Sequence, residues 1–223
     1  MDNTLFEQVD HYIGNLLAQE DGALKHATAQ IEQEQLPNMS ISASQGKMLQ
    51  VLAIACNAKR ILELGTFGAY STIWLGRALP ADGKLITLEY DPRYAAMAQK
   101  NIAYAGLSDR IEIQIGKAME RLQEMHTQKE APFDLVFMDA DKPPYKEYFE
   151  LVLKLSRPGT IIVCDNVIRK GKVLDPVSTD EAVRGVQRLN EFLPTCKGVT
   201  ATILQTVGVK DHDGMVIAVV NSA

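Results

Sequence analysis

Four apolar runs in this chain each end in an acidic residue, and that repetition restricts the fold more than any other feature. Ile61-Leu62 is followed by Glu63, Leu85-Ile86-Thr87-Leu88 by Glu89, Leu135-Val136-Phe137-Met138 by Asp139, and Ile161-Ile162-Val163-Cys164 by Asp165. Runs of this kind suit strands buried on both faces, and helical periodicity fills the intervals between them. Strand and helix in alternation imply a doubly wound α/β sheet, whose strands present their carboxyl ends to a shared ligand-binding crevice. Carboxylates gathered there repel one another unless hydroxyls, a metal ion or a cationic ligand answer them.

The spacing predicts strands over Arg60–Leu64, Lys84–Glu89, Ile111–Ile115, 134–138 and 160–164, and helices over 71–79, 93–105, 118–125, 146–155 and 179–193. Two closing apolar segments, 201–206 and 215–220, flank Asp211-His212-Asp213-Gly214 and read as an antiparallel hairpin on an otherwise parallel sheet. Ahead of the first strand, residues 4–35 read as helical, Pro37 interrupts, and a further helix is expected over 44–56. At 223 residues one core suffices, so we expect a single domain, with 1–57 as a helical segment and 58–223 as the α/β core.

A formal net charge of -5 speaks against a broad phosphate-tracking surface. The N-terminus carries no charged-then-apolar leader, and no apolar run reaches membrane-spanning length. Cys56, Cys164 and Cys196 are scattered and read as thiols in a reducing compartment. The expected location is therefore the cytoplasm, with no membrane partner.

The turn after the first strand, Glu63-Leu64-Gly65-Thr66-Phe67-Gly68-Ala69-Tyr70-Ser71, has glycines that permit tight turning and close approach of a ligand. It lacks the third glycine of the dinucleotide fingerprint, and a plain strand-to-helix turn accounts for it equally well. Glu89 adds a carboxylate able to accept both hydroxyls of a ribose. With Glu63 expected to face a positive group, the pair suits a cationic nucleoside better than a phosphorylated one. At the ends of the fourth and fifth strands Asp139, Asp165 and Asn166 form a hard oxygen set favouring Mg²⁺, Mn²⁺ or Ca²⁺ over zinc. Lys142, three residues past Asp139, is a candidate general base, or else a surface lysine paired with Asp141 or Glu147.

These segments, together with Met39-Ser40-Ile41-Ser42, Gly116-Lys117-Ala118 and Asp165-Asn166-Val167, resemble the cation-dependent O-methyltransferases of the catechol and caffeoyl-coenzyme A type, which use S-adenosylmethionine. The resemblance runs from about residue 5 to the C-terminus and implies a seven-stranded, Rossmann-like sheet. It implies that Glu63 sits near the methionine amino group of the donor, with Gly65, Thr66 and Ser71 around the amino-acid end. Glu89 would hold the ribose, Ala118 the adenine edge through its backbone, and Met39 and Ile41 the region of the sulfonium. Asp139, Asp165 and Asn166 would hold the ion, usually Mg²⁺, with Asp139 also beside the donor, and Lys142 would be the base. Family members are commonly dimers, with the N-terminal helices contributing contacts or a lid.

The expected reaction is methylation of one hydroxyl of a vicinal phenolic such as a catechol, caffeate or a flavonoid. The late segment from Val207 to Gly214 matches poorly the carboxylate-bearing loop with which the catechol enzyme clamps its acceptor, so strict catechol specificity is not implied. A basic loop, Ile168-Arg169-Lys170-Gly171-Lys172, follows the metal set and leaves open either a solvated surface or an acidic group on the acceptor. A hydroxylated nucleoside in tRNA is the alternative acceptor, and a non-catalytic nucleoside-binding domain is a third reading.

Overall fold

The computed structural model describes residues 3–221. Its centre is a seven-stranded sheet of order β3-β2-β1-β4-β5-β7-β6, built from β1 (Arg60–Leu64), β2 (Lys84–Glu89), β3 (Ile111–Ile115), β4 (Phe133–Met138), β5 (Ser156–Cys164), β6 (Val199–Thr206) and β7 (Asp213–Val220). All pairings are parallel except those of β7, which runs against both β5 and β6. The expected hairpin is present, and its second strand is the one inserted beside β5.

Because side chains alternate along a strand, β1 sends Ile61 to one face and Leu62 and Leu64 to the other. The first face is covered by α2 (Gly22–Gln33), α3 (Ala43–Ala55), α4 (Tyr70–Gly76) and α5 (Pro92–Tyr104), with Leu24, Leu49, Ile73, Trp74 and Ile102 buried there. The second is covered by α6 (Ala118–Thr127), α7 (Tyr145–Lys154) and α8 (Glu181–Phe192), which bury Leu122, Phe149, Val152, Val186 and Leu189. Each such aliphatic side chain contributes about 1.5–3 kcal/mol relative to exposure.

The region expected as one helical stretch, 4–35, is two helices, α1 (Asn3–Leu17) and α2. Asp21 divides them: its backbone is extended and its carboxylate accepts the amides of Ala23 and Leu24 at 3.1 and 3.2 Å, an N-cap. A reciprocal capping box of Ser42 and Gln45 starts α3, and Asp91 before Pro92 starts α5. β5 begins earlier than the apolar pattern implied, at Ser156, because Thr160 Oγ1 holds the Phe133 carbonyl at 2.6 Å and accepts the Arg157 amide at 2.9 Å. Among the described residues no helix is long and apolar enough to cross a membrane.

Between β1 and β4 the order of connection reverses, the place where a doubly wound sheet opens a crevice. The ladder continues past the strands there. The amide of Gly65 reaches Leu88 O at 3.0 Å, that of Asp139 reaches Leu64 O at 2.8 Å, and that of Asp165 reaches Met138 O at 2.9 Å. Gly65, Asp139 and Asp165 are thereby held in one layer at the sheet's carboxyl edge.

Candidate active site

A cavity of about 930 Å³ lies over this edge. It is lined by Met39, Ile41, Gly65, Thr66, Ser71, Glu89, Ala118, Asp139, Lys142 and Asn166, all singled out from sequence, while Glu63 and Asp165 lie beneath its surface. Gly65 has φ +95°, and a Cβ on it would collide with the Asp139 carbonyl, so glycine is demanded both by conformation and by the close approach of β4.

The carboxylates are answered in four different ways. Glu63 is fully buried and receives three hydroxyl bonds, from Ser71 at 2.6 Å, Thr72 at 2.5 Å and Thr87 at 2.7 Å. Burial dominates those bonds and pushes the Glu63 carboxyl up to about 7, with Asp139 adding to the rise. It therefore meets the cavity through Ser71 rather than directly. The cause is strand parity: Glu63 sits one residue before the end of β1, on the face covered by α4. Thr66 likewise turns its hydroxyl to Thr87, at 2.6 Å.

Glu89 is satisfied by backbone instead. Its two oxygens accept the amides of Phe67 and Asp91, each at 2.8 Å, which leaves lone pairs on both oxygens for a further partner. Asp139 Oδ1 accepts from Lys142 Nζ at 2.8 Å, and the same ammonium donates to Tyr145 Oη at 2.8 Å. Lys142 is buried, so the alternative of a surface lysine paired with Asp141 or Glu147 does not hold. Asp141 instead accepts the hydroxyl of Tyr148 at 2.7 Å.

Asp165 is the exception. It is buried, its Oδ1 accepts only the adjacent Asn166 amide at 2.7 Å, and burial together with Asp139 pushes its carboxyl well above the ordinary range. A buried carboxylate facing another with no cation of its own is the electrostatic condition that a bound cation relieves. Among the described residues no three His, Cys, Asp or Glu side chains are placed to hold a metal ion by themselves, and an ion here would take Asp139, Asp165 and the amide oxygen of Asn166. That donor set fits a hard divalent ion.

Several cavity residues escaped the sequence reading. Tyr90 and Met119 directly follow Glu89 and Ala118, an adjacency that could have flagged them. Tyr94 and Tyr148 reach the cavity from α5 and α7 with no local signal, whereas Tyr70 belongs to the turn after β1 and Arg169 to the basic loop, both quoted from the sequence. In the late segment, Asp211 pairs with Lys170 at 2.7 Å, and Asp213 Oδ1 accepts the amides of Ile168 and Arg169, each at 2.9 Å. Neither carboxylate lines the cavity, in keeping with the poor match noted for that loop.

A family model described as O-methyltransferase matches residues 15–219. The chain is 57% identical over 220 residues to a catechol O-methyltransferase of Niastella koreensis, covering 99% of this chain and 100% of the relative. The O-methyltransferase TomG from Streptomyces achromogenes, involved in tomaymycin synthesis and solved with SAM, superposes with TM-score 0.96 at 45% identity, covering 100% of both chains. An O-methyltransferase from Bacillus cereus in complex with SAH gives TM-score 0.95 at 43% identity, covering 98% of this chain and 100% of that one.

Proposed function

The chain belongs to the S-adenosylmethionine-dependent O-methyltransferase family of the catechol and caffeoyl-coenzyme A type, and from that premise we propose that it methylates one hydroxyl of a vicinal dihydroxy phenolic with the aid of a divalent cation. The observation that carries this reading is the sharing of one cavity by Glu89 and Ser71 on one side and Asp139, Lys142 and Asn166 on the other. A nucleoside donor and a metal-held acceptor would then meet across β1 and β4.

Glu89 takes the ribose hydroxyls on the lone pairs that Phe67 and Asp91 leave free. Ser71 presents the charge of Glu63 to the donor's ammonium, beside Gly65 and Thr66. Ala118 meets the adenine edge, and Met39 and Ile41 cover the sulfonium side. Asp139, Asp165 and Asn166 hold the cation, most naturally Mg²⁺, with Mn²⁺ or Ca²⁺ also compatible. When bound, that ion supplies positive charge for the phenolate, whose ordinary pKa near 10 otherwise keeps it protonated at neutral pH. Lys142 lies one side chain from the ion set and, as the neutral amine left when its ammonium has released a proton, takes the phenolic proton. Fixing donor and acceptor in line lowers the barrier by up to about 7–11 kcal/mol.

The chain is also proposed to form a homodimer, since α1 exposes Leu5, Val9, Tyr12, Leu16 and Leu17. A cytoplasmic setting accords with three free cysteines.

The test is transfer of labelled methyl from S-adenosylmethionine to caffeate. Transfer lost on chelation and restored by Mg²⁺ is expected. Transfer indifferent to chelator would remove the metal from the reading, and no transfer in either condition would remove the acceptor class.

A further inference from the structure

Among the described residues, Arg169 is the one cation lining the cavity that has no anion within 4.0 Å. Lys142 is paired with Asp139 at 2.8 Å, and Lys117 lies 3.6 Å from Glu120. Arg169 lines the cavity together with Asn166, is half-buried as a residue, and has no carboxylate within 4.0 Å of its guanidinium among the described residues. Its neighbour in the basic loop, Lys170, is neutralised by Asp211 at 2.7 Å, so the loop's charge is not interchangeable along its length.

The backbone holds Arg169 in place. Asp213 Oδ1 accepts the amides of Ile168 and Arg169 at 2.9 Å each, Val167 N reaches Gly214 O at 3.0 Å, and Asn190 Nδ2 donates to the Val167 carbonyl at 2.9 Å. Asn166, Arg169 and Lys170 have φ of +60°, +53° and +55°, a left-handed geometry that non-glycine residues keep only when the surroundings impose it. These contacts fix the root of Arg169 relative to Asn166 and hence to the ion set.

We infer that Arg169 selects acceptors bearing a carboxylate, so that the substrate class is acidic vicinal diphenols rather than neutral catechols. This rests on the phenolic methyltransferase reading above. An acceptor whose hydroxyls lie at Asp139, Asp165 and Asn166 would carry its carboxylate toward the guanidinium, whose planar fork pairs with a carboxylate through two parallel bonds. A neutral ring leaves the half-buried cation unanswered, which is the discriminating cost.

The measurement is kcat/KM for 3,4-dihydroxybenzoate and for its methyl ester, which differ chiefly in the charge, with wild type, Arg169→Gln and Arg169→Lys, at low and high salt. The expected result is an acid-to-ester ratio that favours the acid in wild type and falls about tenfold or more in Arg169→Gln, mainly through KM of the acid, with Arg169→Lys intermediate. A ratio unchanged within about twofold in both variants, or a wild type that favours the ester, would overturn the inference. Should Arg169→Gln fail to fold, judged by calorimetric binding of S-adenosylhomocysteine, the Arg169→Lys ratio decides by the same criterion. Methylation of neither compound by wild type would instead overturn the phenolic reading on which the inference stands.

Discussion

Lys142 Nζ donates to Tyr145 Oη at 2.8 Å, and that phenolic oxygen lies 2.7 Å from the Met138 carbonyl and 3.0 Å from the Asp165 carbonyl. One buried hydroxyl thus joins the candidate base to the ends of β4 and β5. Burial and the nearby Asp139 hold the phenol well above its ordinary range, so it remains a neutral donor and acceptor. Tyr145→Phe is expected to cost about 1–3 kcal/mol of stability and to lower kcat about tenfold or more, while S-adenosylhomocysteine affinity stays nearly constant. Denaturant titration, steady-state kinetics and calorimetry on the same variant test the three parts.

Glu63 gives a pH dependence of definite sign. Its folded value of about 7 lies above the ordinary 4.5, so between those limits the folded protein holds a proton that the unfolded chain has lost. Stability of the ligand-free protein therefore falls as pH rises through that window, by about 3 kcal/mol from this group at 1.36 kcal/mol per unit. Glu63→Gln should be the more stable form at pH 8 relative to wild type than at pH 5. Equal differences at both pH values would show that Glu63 does not titrate as described.

Asp134 acts in the opposite direction. Burial raises its carboxyl, but the amides of Lys59 and Arg60, at 2.7 and 2.9 Å, and the Arg157 guanidinium outweigh burial and leave it lowered. Its contribution is present above the ordinary carboxylate value and is lost as pH falls through the lower folded one. Asp134→Asn should destabilise the protein by about 1–3 kcal/mol at pH 7 and by less at pH 3, read from urea midpoints.

Asp165→Asn separates stability from function. Replacing one of two facing carboxyl groups should raise the melting temperature of the metal-free protein, most at alkaline pH, where the Asp165 carboxyl, raised by burial and by Asp139, is driven to ionise without a cation of its own. The same change should abolish Mg²⁺-dependent turnover. A variant both less stable without metal and active with it would contradict the proposed ion set.

Gly65→Ala is expected to lose donor affinity and at least about 1–3 kcal/mol of stability, since alanine at φ +95° is strained and its Cβ displaces the Asp139 carbonyl. Thermal unfolding together with S-adenosylhomocysteine titration reads both effects.

Most of the architecture was legible because it rests on local physics. Apolar runs, their helical intervals and their terminal acids follow from periodicity, and the strand ends at Leu64, Glu89, Met138 and Cys164 lie where those acids predict. The break at Asp21 was missed because a capping carboxylate costs nothing to the helical pattern on either side. Gly65, Glu89, Asp139 and Asn166 line the cavity from the ends of β1, β2, β4 and β5, where the strand pattern puts them, whereas Met39 and Ile41 reach it from the segment before α3.

What the chain's order could not reveal is which partner answers each charge. Glu63 is backed by hydroxyls of α4 and β2, Lys142 by Asp139 and Tyr145, and Arg169 by no carboxylate among the described residues. Those assignments depend on side-chain parity and on approaches between residues far apart in sequence, such as Asp213 to Ile168 and Arg169. Sequence determined the scaffold and the kinds of group at its carboxyl edge. Tertiary structure alone decided their burial and pairing, because electrostatic free energy depends on distance and desolvation, and neither is a property of local sequence.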